Sequence, residues 1–102
     1  MKLYRGGRSL DGAVVTVAEG SQTRPLDPRH DLKQLSTTGF EWTYEGAGPA
    51  QLALALLADH LGDDGRALAL YERLMRHLVA DLDNSWELTS ADIDAALAGL
   101  PT

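Results

Sequence analysis

The sequence predicts an α+β fold in which a small antiparallel sheet of three to four short strands packs on a helical hairpin and a short C-terminal helix. Three observations carry this prediction. A β-branched run at residues 13–18 follows an Asp-Gly turn. An aromatic segment at residues 40–44 alternates between two faces. Two helical patterns then meet at Gly62, the first apolar on most sides and the second amphipathic.

The N-terminal part of the chain is predicted to hold two strands and a loop. Residues 2–5 form a short first strand that Gly6 and Gly7 end, and residues 13–18 form the second. The two strands would pair as a hairpin through a rather long loop. Residues 19–38 contain two prolines and mixed charges, so we expect an irregular segment whose leucines contact the core.

The central part combines an aromatic strand, a glycine-rich turn and a helix. Phe40, Trp42 and Tyr44 lie on one face of the predicted strand. The turn Gly-Ala-Gly-Pro follows, with Pro49 at the first helical position, where its missing N–H costs nothing. Leucines and alanines surround the helix axis as far as Leu61, so this helix should be buried on most sides.

The C-terminal part carries clear helix signals. Gly62 is a C-cap glycine, and the aspartates after it can cap a second helix over residues 65–82. This helix is amphipathic, with one apolar stripe. Residues 86–88 read as a short strand. Residues 89–92 resemble a capping box that opens a last helix over residues 90–98.

Composition indicates an ordinary soluble domain. The chain has 102 residues, and 44% of them are hydrophobic, which suits one domain spanning residues 1–102. No cysteine is present, which excludes disulfides and thiolate ligands and suits a reducing compartment. No segment reads as a signal peptide or a membrane span. We therefore expect a cytoplasmic protein.

The charge is distributed unevenly along the chain. Residues 1–40 carry six basic and four acidic side chains, whereas residues 41–102 carry three basic and eleven acidic ones. Five acids occur without an intervening base, and they are the predicted partner-binding residues. They are Asp81, Asp83, Glu87, Asp92 and Asp94. Such a surface disfavours direct nucleic-acid binding and would attract a protein with a basic surface.

Candidate chemistry is sparse. Two glycines before a helix can present backbone N–H groups to an anion, so Gly46, Gly48, Ala50 and Gln51 form a candidate anion-binding turn. The motif lacks the lysine of a P-loop, and a purely structural turn is the simpler explanation. The three histidines have no partners at metal-ligand spacing, and no serine carries a nucleophile motif. We predict no catalytic residues, no metal and no cofactor.

Two segments resemble a known family. They read GFEWTYEGAGPAQLALALLADHLGDDGRAL and WELTSADI, with the strongest match at residues 39–71 and 86–93. These segments are similar to a GFEW-Y-G-GPAQLALA signature of small prokaryotic and phage proteins, a domain of unknown function. Thr43 and Glu45 depart from that signature, which has small residues there. The resemblance implies a mobile-element setting and brings no assigned activity.

Three functional hypotheses follow. The first is a non-enzymatic interaction protein of phage or plasmid type, in its sharpest form an anti-CRISPR-like inhibitor that covers a basic surface of a nucleic-acid-handling protein. The second is a small-molecule or anion-binding accessory domain that uses the Gly-Ala-Gly-Pro turn. The third is an enzyme of a type that the sequence does not reveal. A homodimer is compatible with all three.

Overall fold

In the computed structural model, which describes residues 1–101, a three-stranded meander precedes a long irregular segment and the helices. The elements are β1 (Lys2–Ser9), β2 (Gly12–Glu19), β3 (Gln22–Pro25), α1 (Ala47–Leu61), α2 (Asp64–His77), a 3-10 turn (Val79–Asp81), β4 (Trp86–Thr89) and α3 (Ser90–Ala98). The strands form one antiparallel sheet in the order β3-β2-β1-β4. The predicted α+β architecture is confirmed.

β1 and β2 form a tight hairpin rather than a loosely connected pair. Ser9 pairs with Gly12, so only two residues make the turn. The prediction that Gly6 and Gly7 end the first strand is wrong. Gly6 stays in β1 because the Trp86 side chain covers its inner face, and a Cβ there would lie 2.2 Å from the indole. β1 therefore needs glycine at this position and continues through it.

β3 lies in the segment that the sequence analysis assigned to a loop. All four of its side chains are exposed, so it has no hydrophobic pattern to reveal it. A two-residue turn joins it to β2, since Glu19 pairs with Gln22, and Gly20 in this turn has φ 62°. Backbone pairing in a hairpin thus forms this strand without burial of its side chains.

The predicted aromatic strand at residues 40–44 is not formed. Thr43 has φ 83°, a left-handed conformation that no regular strand contains. Trp42 is fully buried while Tyr44 is 49% exposed, so the aromatic side chains do not share one face. The segment is an irregular loop that individual side chains hold in place.

α1 and α2 form the predicted helical hairpin. α1 is buried continuously from Gly48 to Ala58, as its apolar composition predicted. Gly62 closes it in the left-handed conformation with φ 64°, and the Asp63 side chain caps α2 by accepting from the Arg66 N–H. Pro49 is the third residue of α1 rather than the first, still within the turn where backbone N–H groups lack helical partners.

α2 ends at His77, earlier than predicted, and the chain continues through the 3-10 turn. α3 begins with the predicted capping box. Thr89 Oγ1 accepts from the N–H of Asp92, and the Asp92 carboxylate accepts from the N–H of Thr89. Ile93 of this helix is fully buried.

The core lies between the helices and one face of the sheet. Tyr4, Val17 and Leu88 share this inner face and are buried beside the leucines of α1. The opposite face, which carries Arg5 and Val14, is open. None of the helices within residues 1–101 has the length and apolarity needed to cross a bilayer.

Candidate functional site

The five acidic residues predicted to bind a partner lie on three different elements, and all of them are exposed. Asp81 ends the 3-10 turn, Asp83 follows it, Glu87 is in β4, and Asp92 and Asp94 are in α3. β4 separates the first two from the last two. Its four residues span about 13 Å at the usual rise of a strand.

Three of the five acids contact other groups of the protein. Glu87 forms an ion pair with Arg5 across the sheet, with 3.2 Å between Oε2 and Nε. Asp92 caps α3, as described above. Asp94 Oδ1 lies 2.6 Å from Nε2 of His60, near the C-terminus of α1. These contacts reduce the number of carboxylate oxygens that are free to bind another molecule.

Asp81 and Asp83 differ from the other three. Within residues 1–101, neither carboxylate has a hydrogen-bond or ion-pair partner. Both are exposed, and they flank Leu82, which is partly buried against the core. Residues 81–83, which we call the acidic loop, therefore present two unpaired negative charges close together in the chain.

The acidic loop is anchored at both ends. On its N-terminal side Val79 is fully buried, and its carbonyl accepts from the Thr43 N–H at 3.3 Å. On its C-terminal side the carbonyl of Asn84 accepts from Nε1 of Trp42 at 3.0 Å, and Oδ1 of Asn84 accepts from Nε of Arg8 at 2.7 Å. Binding to such a loop costs little ordering entropy.

The anchoring residues form a cluster that sequence reasoning missed. The Arg8 guanidinium lies over the Trp42 ring, 4.5 Å from its centroid, and forms an ion pair with Glu41. Trp42 contacts Trp86 edge to face, with ring centroids 5.7 Å apart and an interplanar angle of 86°. No local sequence pattern indicates that these tryptophans hold residues 79–84.

The predicted anion-binding turn is engaged in internal contacts. The N–H of Ala50 donates to the carbonyl of Gly46 at 3.0 Å. Gly48 lies against the side chain of Glu41, where a Cβ would be 2.7 Å from its Cβ. An anion at this turn stays a prediction, and the observed contacts serve the fold.

Gln51, the fourth residue of that turn, is fully buried and joins α1 to the irregular segment. Its Oε1 accepts from the N–H groups of Leu35 and Ser36 at 2.7 and 3.1 Å. Its Nε2 donates to the carbonyls of Pro28 and Lys33 at 2.6 and 3.1 Å. All four hydrogen-bonding positions of the amide are thus used by backbone groups that have no regular secondary structure to pair them.

Asp59, at the C-terminal end of α1, is a second structural centre. It accepts from the Tyr4 hydroxyl at 2.7 Å, from Nη2 of Arg24 at 2.7 Å and from Nζ of Lys2 at 3.2 Å. Burial raises the pKa of its carboxyl, but the three donors together outweigh burial, and the net pKa is lowered. The pKa of Tyr4 is raised by burial and by its hydrogen bond to Asp59.

The Asp59 contacts predict that the stability of the protein falls at acid pH. The carboxyl has a usual pKa near 3.9 when unfolded. Because the folded-state pKa is lower, its contribution is present above about pH 4 and is lost as the pH falls through the folded-state value. We expect Asp59→Asn to lower the free energy of unfolding by about 2 kcal/mol at neutral pH. We also expect the free energy of unfolding of this variant to fall less steeply than wild type below about pH 4. Urea denaturation at several pH values measures both, and equal slopes for the two proteins would contradict the assignment.

Within residues 1–101, no three His, Cys, Asp or Glu side chains converge in a way that could hold a metal ion. His60, which the sequence places beside several aspartates, contacts Asp94 of α3 instead of Asp63 or Asp64.

Comparison with known proteins gives one match. A family model described as a family of unknown function (DUF6166) matches residues 4–99. The comparisons with curated proteins and with solved structures give no match.

Proposed function

Since the chain belongs to this family of unknown function, we propose from its surface charges that it is a non-enzymatic interaction module. Its acidic loop would bind a basic surface on a protein partner. The proposal retains two of the five predicted acids, Asp81 and Asp83, as the central contacts.

One observation carries this proposal: the two unpaired carboxylates lie on an anchored loop. A charge that is already neutralised within its own chain gains little from a partner, because the internal pair must first be lost. Asp81 and Asp83 have no such pair within the described residues. The anchors at Val79 and Asn84 hold the backbone on either side, so binding does not require the loop to fold first.

The complementary partner is a protein with clustered Lys and Arg side chains. Proteins that handle nucleic acids carry such surfaces, because phosphate binding requires them. A nucleic-acid-handling protein of a host defence system is the specific target class that we propose. Complementary charge of this kind increases the association rate and the specificity more than it increases the affinity.

Affinity capture with matched variants tests the proposal. The immobilised protein, the double variant Asp81→Asn/Asp83→Asn and the control Asp11→Asn/Glu19→Gln are each exposed to lysate of a bacterial host. Asp11 and Glu19 are also exposed, and they likewise lack carboxylate partners within residues 1–101, so the control removes the same charge elsewhere. Bound proteins are identified by mass spectrometry at about 50 mM and about 300 mM salt.

We expect a basic protein to be captured by wild type and by the control, to be depleted about tenfold on Asp81→Asn/Asp83→Asn, and to be released by salt. Capture that is equal for the two double variants would contradict the role of the acidic loop. Loss in both would show that only total charge matters.

A further inference from the structure

A cleft of about 390 Å³ lies on α2, away from the acidic loop. Its volume is within the range of small-ligand sites. The residues that line it are mainly basic and aromatic, and they include Lys33, Leu68, Tyr71, Glu72, Arg73 and Arg76. Three cations and one carboxylate give this cleft a positive charge, although the whole chain has a net charge of −6.

The cations of this cleft are paired less tightly than those of the strands and of Arg29 in the irregular segment. Lys2, Arg5, Arg8, Arg24 and Arg29 each have a carboxylate oxygen within 3.2 Å. In the cleft, the carboxylate oxygens nearest to Arg76 within residues 1–101 lie at 3.8 and 3.9 Å, on Glu45 and Glu72. Arg73 donates to the backbone carbonyls of Pro101 and Ala69, at 3.3 and 3.4 Å. Within residues 1–101, no carboxylate oxygen lies closer than 3.8 Å to a cation of the cleft, which favours binding of an external anion.

The floor of the cleft carries a further donor. Tyr71 is buried, and its hydroxyl oxygen accepts from Nζ of Lys33 at 3.3 Å. Because this oxygen accepts a hydrogen bond from Lys33, the O–H of Tyr71 points in another direction. No acceptor within residues 1–101 receives a hydrogen bond from it. The ammonium also lies 5.7 Å from the Tyr71 ring centroid, which holds the cation above the aromatic floor.

From these contacts we propose that the α2 cleft binds a small oxyanion, a phosphate or a carboxylate group. The guanidinium groups of Arg73 and Arg76 would donate paired hydrogen bonds to its oxygens, a geometry that suits phosphate and carboxylate alike. Lys33 and the Tyr71 hydroxyl would donate from the other side. Glu72 also lines the cleft, and its negative charge would oppose the anion, so binding would draw Arg76 away from Glu72. This site is independent of the acidic loop and of the proposed partner.

Titration of the ¹⁵N-labelled protein with inorganic phosphate, succinate or chloride at equal ionic strength tests the site. The variant is Arg73→Gln/Arg76→Gln, and the control is Arg66→Gln, an exposed arginine of the same helix that is not among the residues lining the cleft. Circular dichroism establishes that each variant is folded.

We expect saturable shifts of the amide signals of Lys33 and of residues 68–76 with phosphate or succinate and not with chloride. The dissociation constant should rise about tenfold or more in Arg73→Gln/Arg76→Gln and stay within about twofold in Arg66→Gln. Tighter binding of phosphate identifies a phosphorylated ligand, and tighter binding of succinate identifies a carboxylate. Shifts that do not saturate, that match chloride, or that persist unchanged in the double variant would overturn the proposal.

Discussion

Gly6→Ala is expected to lower the free energy of unfolding by about 3 kcal/mol. A Cβ at this position would lie 2.2 Å from Cε2 and Nε1 of Trp86, far inside van der Waals contact. The indole is buried against Trp42, whose own Nε1 is bonded to Asn84, so this contact opposes its displacement. The clash must therefore distort either β1 or the tryptophan cluster.

Urea denaturation measures this effect, with Gly7→Ala as the control. Gly7 is the next residue in the same strand, and a Cβ there meets nothing within 4 Å, so its change should be below about 1 kcal/mol. In a Trp86→Leu background the cost of Gly6→Ala should shrink, since the obstructing ring is gone. Equal losses for Gly6→Ala and Gly7→Ala would show that the Trp86 contact does not restrict β1.

Gln51→Leu, a replacement of similar size, is expected to lower the free energy of unfolding by about 4 kcal/mol. This is the largest effect that we predict. Leucine would remove all four hydrogen bonds and leave two N–H groups and two carbonyls of the irregular segment without partners. Gln51→Glu should also destabilise, because a carboxylate oxygen would then face the carbonyls of Pro28 and Lys33.

The control for Gln51 is Gln34→Leu, an exposed glutamine in the same segment, for which we expect a change within about 0.5 kcal/mol. Hydrogen exchange of the Leu35 and Ser36 amides adds a local readout, since both amides should lose protection in Gln51→Leu. Stability and protection similar to those of the control would refute the bridging role of Gln51.

The helical part of the fold was predictable because its signals are local. Gly62, Asp63 and the capping box of residues 89–92 each act within one turn of chain, and all of them behave as predicted. The family resemblance, which rested on residues 39–71 and 86–93, is confirmed as membership in a family of unknown function.

The missed features depend on distant residues. Gly6 appeared to be a strand breaker, but its role is set by Trp86, 80 positions later. The aromatic alternation of residues 40–44 is typical of a strand, yet Trp42 is instead fixed by Arg8 and Asn84. β3 carries no burial pattern at all. In each case tertiary contacts override a local preference.

The same reasoning applies to the candidate site. The sequence identified five acids, but it could not show that Glu87 and Asp94 are engaged, because their partners lie far away in the chain. Glu87 pairs with Arg5 across 82 positions, and Asp94 contacts His60 across 34. Asp92 is engaged locally, in the predicted capping box with Thr89. Without these three acids, Asp81 and Asp83 remain as the central contacts.

The affinity of a purified captured partner, measured against salt concentration, tests the central claim most directly. For wild type we predict binding that weakens steadily as salt rises, because exposed charges are screened. For Asp81→Asn/Asp83→Asn we predict about tenfold weaker binding at low salt and a shallower salt dependence. Identical affinity and identical salt dependence for the two proteins would contradict the claim that the acidic loop is the partner-binding surface.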